Sequence, residues 1–305
     1  MDREKIRNKL NELHDSCIKD GYEQYRLKHQ IKTEMFEDYR RKLIALDTID
    51  QHLLDTYSNA TGEINIMKWN LVKRLRSLFH AILDIIEVNQ DYNVAQTINR
   101  MIADRLSIIE LFFEEKNELI VRLRFYLYVL DDLTTEKEIF QKAIDNKSSE
   151  EEDKKQLEAE IDKINDDLSW YEGKVGTIKD QLSNYIISDK VLEKHWWRFK
   201  VEGAEIKGKY SYADLYQKFF SCDANMFSTI ISSLSSNVHG LLSSNMGNSI
   251  SKTTAHAAIN VSRHLLASYF DAMCTVYPDE RTFIIAFLKE RTQETINTDS
   301  INRGF

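Results

Sequence analysis

Two runs of residues at alternating steps of four and three constrain this chain more than any other feature. Leu119, Leu123, Tyr126, Leu130, Leu133, Lys137, Phe140 and Ile144 form the first, and Leu157, Ile161, Ile164, Leu168, Tyr171, Val175, Ile178 and Leu182 the second. Residues three and four apart share one face of an α-helix, so spacing sustained this long marks a coiled-coil seam. The polar run NKSSEEED lies between them, with Ser148 or Ser149 placed to cap the second helix and acids in its first turn. Two seams joined by a short polar turn close as an antiparallel helical hairpin. The outward positions of its distal half are mostly charged, so the hairpin is expected to project from the rest of the protein. Gly173 and Gly176 weaken the returning helix near the body.

The remainder of the chain is also read as helix. Among 305 residues there are only 9 glycines and 1 proline, with 42% hydrophobic and 30% charged side chains, a composition poor in chain breakers. The expected fold is all-α: a helical bundle body from residues 1–114 and 186–305, with residues 115–185 as the projecting coiled-coil hairpin. Residues 3–57 read as one long helix, or two broken near Gly21. SNATGE at 58–63 is a loop. Residues 65–88 carry Leu71, Leu75, Leu78, Phe79, Ile82 and Ile86 on one side. Two final helices, 250–276 and 279–296, are divided by Pro278.

Within the stretch 98–132 the apolar pattern encloses charges. Ile98, Ile102, Leu106, Ile109 and Phe113 make a stripe, widened by Met101, Ile108 and Phe112, and Arg105 falls inside that arc. Arg100 and Asp104 stand four apart on the polar side, where they can pair. On the next helix Arg122 falls inside the arc. A guanidinium stays protonated, and burying one without a carboxylate is costly. Glu118, Asp131 and Asp132 are the nearest partners in sequence. The arrangement reads either as a structural ion-pair network or as a polar pocket that binds an anion.

Two further segments carry candidate chemistry. HWWRFKVEGAEIKGKY interrupts the helical pattern; Trp196 and Trp197 with Arg198 and Lys200 either stack on a single-stranded nucleic acid or pack a connecting segment onto the core. Residues 225–239 form a short helix faced with serines, on which Ser235 lies one turn before His239, and Gly240 ends it. His239 is either a cation at a helix C-terminus or a base or anion ligand. No nucleophile elbow surrounds these serines, which argues against a nucleophilic hydrolase. The candidate anion site is therefore Arg105, Arg122, Ser235 and His239, with His239, Arg122, Arg100 and Asp104 as candidate catalytic residues. Arg74 and His80 fit the loose Arg-x(4–6)-His pattern of the helical ribonucleases called HEPN proteins, although His80 points away from the apolar side of its helix. No histidine or cysteine spacing suits a metal, and there is no phosphate-binding glycine loop, so neither a metal nor a cofactor is expected.

A net charge of −8 disfavours a general nucleic-acid coat while leaving room for a local basic site. Cys17, Cys222 and Cys274 are scattered and odd in number, which suits a reducing cytoplasm. MDREKIRNKL is charged, without the apolar core of a secretory signal. No apolar run is long enough to span a membrane. The run NRMIADRLSIIELFFEEKNELIVRLRFYLYVLDD resembles the middle of a bacterial family of helical proteins of unknown activity, in its Arg100, Asp104, Arg122 and Asp131. SSLSSNVHGLLSSNMG is similar to that family's Leu-Ser-x-x-Val-His-Gly segment, here Leu234, Ser235, Val238, His239 and Gly240. The resemblance covers about a third of the chain and implies that the central arginines and His239 share one site. The functional expectation is a helical interaction or regulatory protein that binds a protein partner or itself through helical surfaces. The alternative is a HEPN-like ribonuclease or nucleotide-binding enzyme of bacterial stress or phage defence.

Overall fold

The computed structural model describes residues 34–59, 61–86, 92–145, 151–219 and 252–292. Within them the chain is predominantly helical. In chain order the helices are α1 (Glu34–Tyr57), α2 (Glu63–Asp84), α3 (Tyr92–Phe113), α4 (Glu118–Ile144) and α5 (Glu151–Gln181). After strand β1 (Ile186–Ile187) come α6 (Asp189–Glu193), β2 (Phe199–Glu202), β3 (Glu205–Lys209) and α7 (Tyr212–Phe219). The last elements are α8 (Lys252–Val276), a 3₁₀ turn at Pro278–Glu280, and α9 (Arg281–Thr292).

Helix α3 is the hub, packing against α2, α4, α7 and α8, while α8 in turn meets α1, α2 and α9. The stripe Leu71, Leu75, Leu78, Phe79 and Ile82 of α2 is buried in this body with Leu43, Leu46, Ile49 and Leu53 of α1. The arc of α3 is rotated from the expected one. Met101 is 37% exposed, whereas Gln96, Asn99 and Ser107 are buried. Small and amide side chains there let α8 approach, and they satisfy one another. Asn99 Nδ2 donates to Gln96 Oε1 at 3.1 Å and to the Ala258 carbonyl at 3.0 Å. Ser262 Oγ donates to Asn99 Oδ1 at 2.8 Å. A buried network of this kind fixes the α3–α8 register, because sliding either helix would leave unpaired polar groups.

Helices α4 and α5 lie side by side and antiparallel. Tyr126 meets Tyr171 with ring centroids 5.9 Å apart, and Lys137 Nζ donates to Asn165 Oδ1 at 2.7 Å, so higher numbers on one helix face lower numbers on the other. On α5 every seam position from Leu157 to Leu182 is buried or half-buried, and nearly all its other residues are exposed. Val175, Ile178 and Leu182 join the main core, whereas Ile161 and Ile164 are buried apart from it. Residues 146–150, where the sequence places the turn, lie outside the described residues.

The small sheet was not legible in the sequence. Its order is β1-β3-β2, with β1 parallel and β2 antiparallel to β3. The β2–β3 turn is Gly203-Ala204, and Gly203 takes a left-handed φ of 61° that glycine adopts without strain. Val191, Trp197, Phe199 and Ile206 anchor this segment in the core. The next helix starts on a reciprocal cap: Asp214 N–H donates to Ser211 Oγ at 3.1 Å and Ser211 N–H to Asp214 Oδ2 at 2.8 Å. No helix among the described residues is long and apolar enough to cross a membrane.

Candidate functional site

Asp104, near the middle of α3, is the centre of a cluster of arginines and tyrosines. Arg100 lies one turn before it, and its Nε donates to Asp104 Oδ1 and Oδ2 at 3.1 and 3.2 Å, the pairing its spacing predicts. Tyr216 of α7 donates its hydroxyl to the same carboxylate. The Arg100 guanidinium rests over the Tyr216 ring, 4.9 Å from its centroid. Tyr212, one turn earlier on α7, stacks on Tyr216 with a centroid separation of 6.2 Å. Arg198, just before β2, lies over Tyr212 at 4.4 Å and over Trp197 at 5.4 Å. A row of planes thus runs Arg198, Tyr212, Tyr216, Arg100, with two stacked phenols between two guanidiniums.

Burial raises the Asp104 carboxyl above the ordinary aspartate range, while Arg100, Arg105 and Arg198 pull it back down. Arg105 also acts on Tyr128 of α4, whose phenol is raised by burial and by Asp132 and lowered by Arg105. Three cations therefore surround one carboxylate. Arg100 and Tyr216 already engage that carboxylate. Arg105 and Arg198, both half-buried, have no carboxylate within ion-pair distance among the described residues. Arg198, lying over the faces of Tyr212 and Trp197, and the neighbouring cation Arg105 are suited to receive a carboxylate or phosphate.

Arg122 does not belong to this cluster. Its side chain is 45% exposed, and it pairs with Glu118 one turn earlier at 2.6 Å. Its other electrostatic neighbours are Tyr126 and Glu63. The buried arginine of α4 is Arg124, 4% exposed. The first half of α4 is enclosed almost all round, by α3, α5 and the sheet segment, so its apolar residues have no single centre from which an inward face can be read. Arg124 donates to the Leu111 carbonyl and to the Phe199 carbonyl at 3.1 Å, and its guanidinium lies 4.6 Å from the Phe199 ring centroid. Burial pulls it down to about 10. It ties the end of α3, the start of α4 and β2 together, and nothing in the spacing distinguished it from Arg122.

Asp131, expected as an arginine partner, accepts the indole N–H of Trp197 at 3.1 Å. Trp197 itself is buried against Phe112 and Tyr128, with centroids 6.0 and 5.0 Å away, so it packs the sheet segment and is closed to a base. Arg74 is exposed and shares no partner with His80. His80 instead meets Asp47 at 2.9 Å, together with Arg76 at 2.7 Å. Ser235 and His239 lie outside the described residues. Among the described residues no group of three His, Cys, Asp or Glu side chains is arranged to hold a metal ion. No protein-family model, curated protein or solved structure matches this chain.

Proposed function

We propose that this chain is a helical interaction or regulatory protein that receives an acidic segment of a protein partner at the Asp104 cluster. The observation that carries this reading is the pair Arg105 and Arg198, half-buried beside a carboxylate already in use and without an ion-pair partner among the described residues. A docked carboxylate would complete both, and charge-assisted bonds to arginine are among the stronger polar contacts available. With an overall charge of −8, such recognition rests on local clusters of cations. A nucleotide is the second reading, because the Arg198–Tyr212 stack offers a planar cation–aromatic surface. RNA cleavage by Arg74 and His80 draws no support from their geometry.

Fluorescence anisotropy with a labelled oligo-glutamate peptide, ATP and a single-stranded RNA tests these readings. The peptide is expected to bind, more weakly as salt rises, and the double variant Arg105→Gln/Arg198→Gln is expected to lose that binding while keeping its helical spectrum. Binding of ATP alone would move the assignment to the second reading. Metal-free cleavage of the RNA that His80→Ala abolishes would replace both with a nuclease.

A further inference from the structure

A cleft of about 560 Å³, sharing no residue with the Asp104 cluster, opens between the start of α2, the α3–α4 link, α4, α5 and the end of α8. That volume falls within the range of small-molecule sites. Four cations line it: Lys68, Lys116, Arg122 and Lys174. So do three acids, Glu63, Glu115 and Glu118, but each acid has a partner within the protein. Glu118 takes Arg122 at 2.6 Å, Glu63 accepts the Tyr126 hydroxyl at 3.1 Å, and Glu115 accepts the Asn117 backbone N–H at 3.0 Å. Lys68, Lys116 and Lys174 have no carboxylate within ion-pair distance among the described residues.

Lys68 is the anchor. Its ammonium is drawn out of water between two rings, 5.1 Å from the Phe113 centroid and 5.9 Å from that of Tyr277. Its one hydrogen bond among the described residues, at 3.4 Å, goes to the carbonyl of Val276, the last residue of α8. Burial lowers its proton affinity, and Glu118 only partly restores it. A half-buried ammonium with no carboxylate in ion-pair distance among the described residues, facing a cleft with two more lysines, is an arrangement that a bound anion would complete.

We infer that this cleft binds a compact small-molecule polyanion, held by Lys68 from within and by Lys116 and Lys174 at its walls. The ligand chemistry is two or more negative charges within a few atoms of one another, as a phosphate ester or a polycarboxylate provides. This site is separate from the Asp104 cluster and does not depend on the reading given for it.

Pyrophosphate and citrate serve as probes of the two anion sources, titrated against the full-length protein while the melting temperature is followed. At least one of them is expected to raise it, the gain growing with concentration as linkage requires. Lys68→Met should abolish the gain, and Lys116→Gln with Lys174→Gln should weaken the apparent affinity roughly tenfold or more. Arg105→Gln/Arg198→Gln, which disables the other cluster, should leave it intact. Amine labelling at mildly alkaline pH, read by peptide mass mapping, gives a second measure on wild-type protein. Lys68 should label faster than the exposed lysines, and the effective anion should slow it. Protection by pyrophosphate alone assigns a phosphate ligand, and protection by citrate alone a carboxylate. A melting gain that survives Lys68→Met, or no gain and no protection with either anion, overturns the inference.

Discussion

Asp50 gives the sharpest quantitative test of the packing. It lies on α1, 1% exposed, and Tyr269 of α8 donates to its Oδ1 at 2.5 Å. Oδ2 has no hydrogen-bond partner among the described residues; Arg76 Nε stands 4.0 Å away and is committed to Asp47 at 2.7 Å. Burial pushes the Asp50 carboxyl from 3.8 up to about 7; the Tyr269 hydrogen bond, Arg76 and His80 oppose that rise, and Asp47 adds to it. The folded chain therefore keeps this proton until about pH 7, whereas an unfolded chain releases it near pH 4. Between those values folding takes up a proton, so the contribution to stability is complete below about pH 4 and is lost as pH rises through about 7. A shift of about three units corresponds to up to about 4 kcal/mol, at 1.36 kcal/mol per unit.

Asp50→Asn isolates this contribution. The asparagine carbonyl can still accept from Tyr269, and no charge remains to be buried. Urea denaturation followed by circular dichroism at pH 4.5, 6 and 8 should show the variant gaining on the wild type as pH rises. The gain should reach a few kcal/mol by pH 8, or roughly 2–4 °C in melting temperature for each kcal/mol. Titrating groups remote from Asp50 act on both proteins and cancel in the difference. A wild-type–variant difference that stays constant from pH 4.5 to 8 would show that Asp50 titrates like a solvated aspartate, and the reasoning would be refuted.

Three further outcomes are expected. Arg124→Lys should destabilise by about 1–3 kcal/mol in urea denaturation, because one ammonium cannot reproduce the planar fork that serves the Leu111 and Phe199 carbonyls; an unchanged midpoint would refute the three-way tie. Asn99→Leu should cost about 1–3 kcal/mol, since it takes the donor from the buried Gln96 amide oxygen and leaves Ser262 and the Ala258 carbonyl only their bond to each other in the α3–α8 interface, and restoring Asn99 should recover it. In a variant whose only cysteine is Cys274, the thiol should react slowly with a disulfide reagent at pH 8, because burial, with Asp271 and Glu110, pushes it up to about 11; labelling as fast as free cysteine would contradict that burial.

The legible part of the fold is the part written in periodicity. The α2 stripe and the buried face of α5 came through because large apolar residues recur at helical spacing and one face of each helix is exposed, which gives the wheel a reference. The division of the last two helices at Pro278 came through because proline acts locally. The sheet did not. Its strands are of two, four and five residues, too short for an alternating pattern to stand out, and parallel pairing of Ile186–Ile187 with β3 depends on a contact no local signal announces.

The misplacement of the arginines has a more general cause. A wheel assumes that apolar residues mark the interior, and that holds for a helix with one wet side. On α3 the interior also holds Gln96, Asn99 and Ser107, so a centre computed from apolar residues alone is rotated toward Met101. On α4 the start of the helix is enclosed on nearly every side, and Arg122 and Arg124, two residues apart, lie on opposite sides of a boundary that hydrophobicity does not draw. What separates them is the supply of acceptors. Arg124 points to two main-chain carbonyls and an aromatic ring, while Arg122 has a glutamate one turn away at the surface. The carbonyls belong to the end of α3 and to β2, and their position is a property of the tertiary structure. The Arg100–Asp104 pair, by contrast, was legible because donor and acceptor lie four residues apart on one helix. The Asp104 site mixes both kinds of information: α3 supplies a pair that spacing predicts, and the fold then brings to it Arg198, just before β2, and Tyr212 and Tyr216, after β3, leaving Arg105 and Arg198 without carboxylate partners among the described residues.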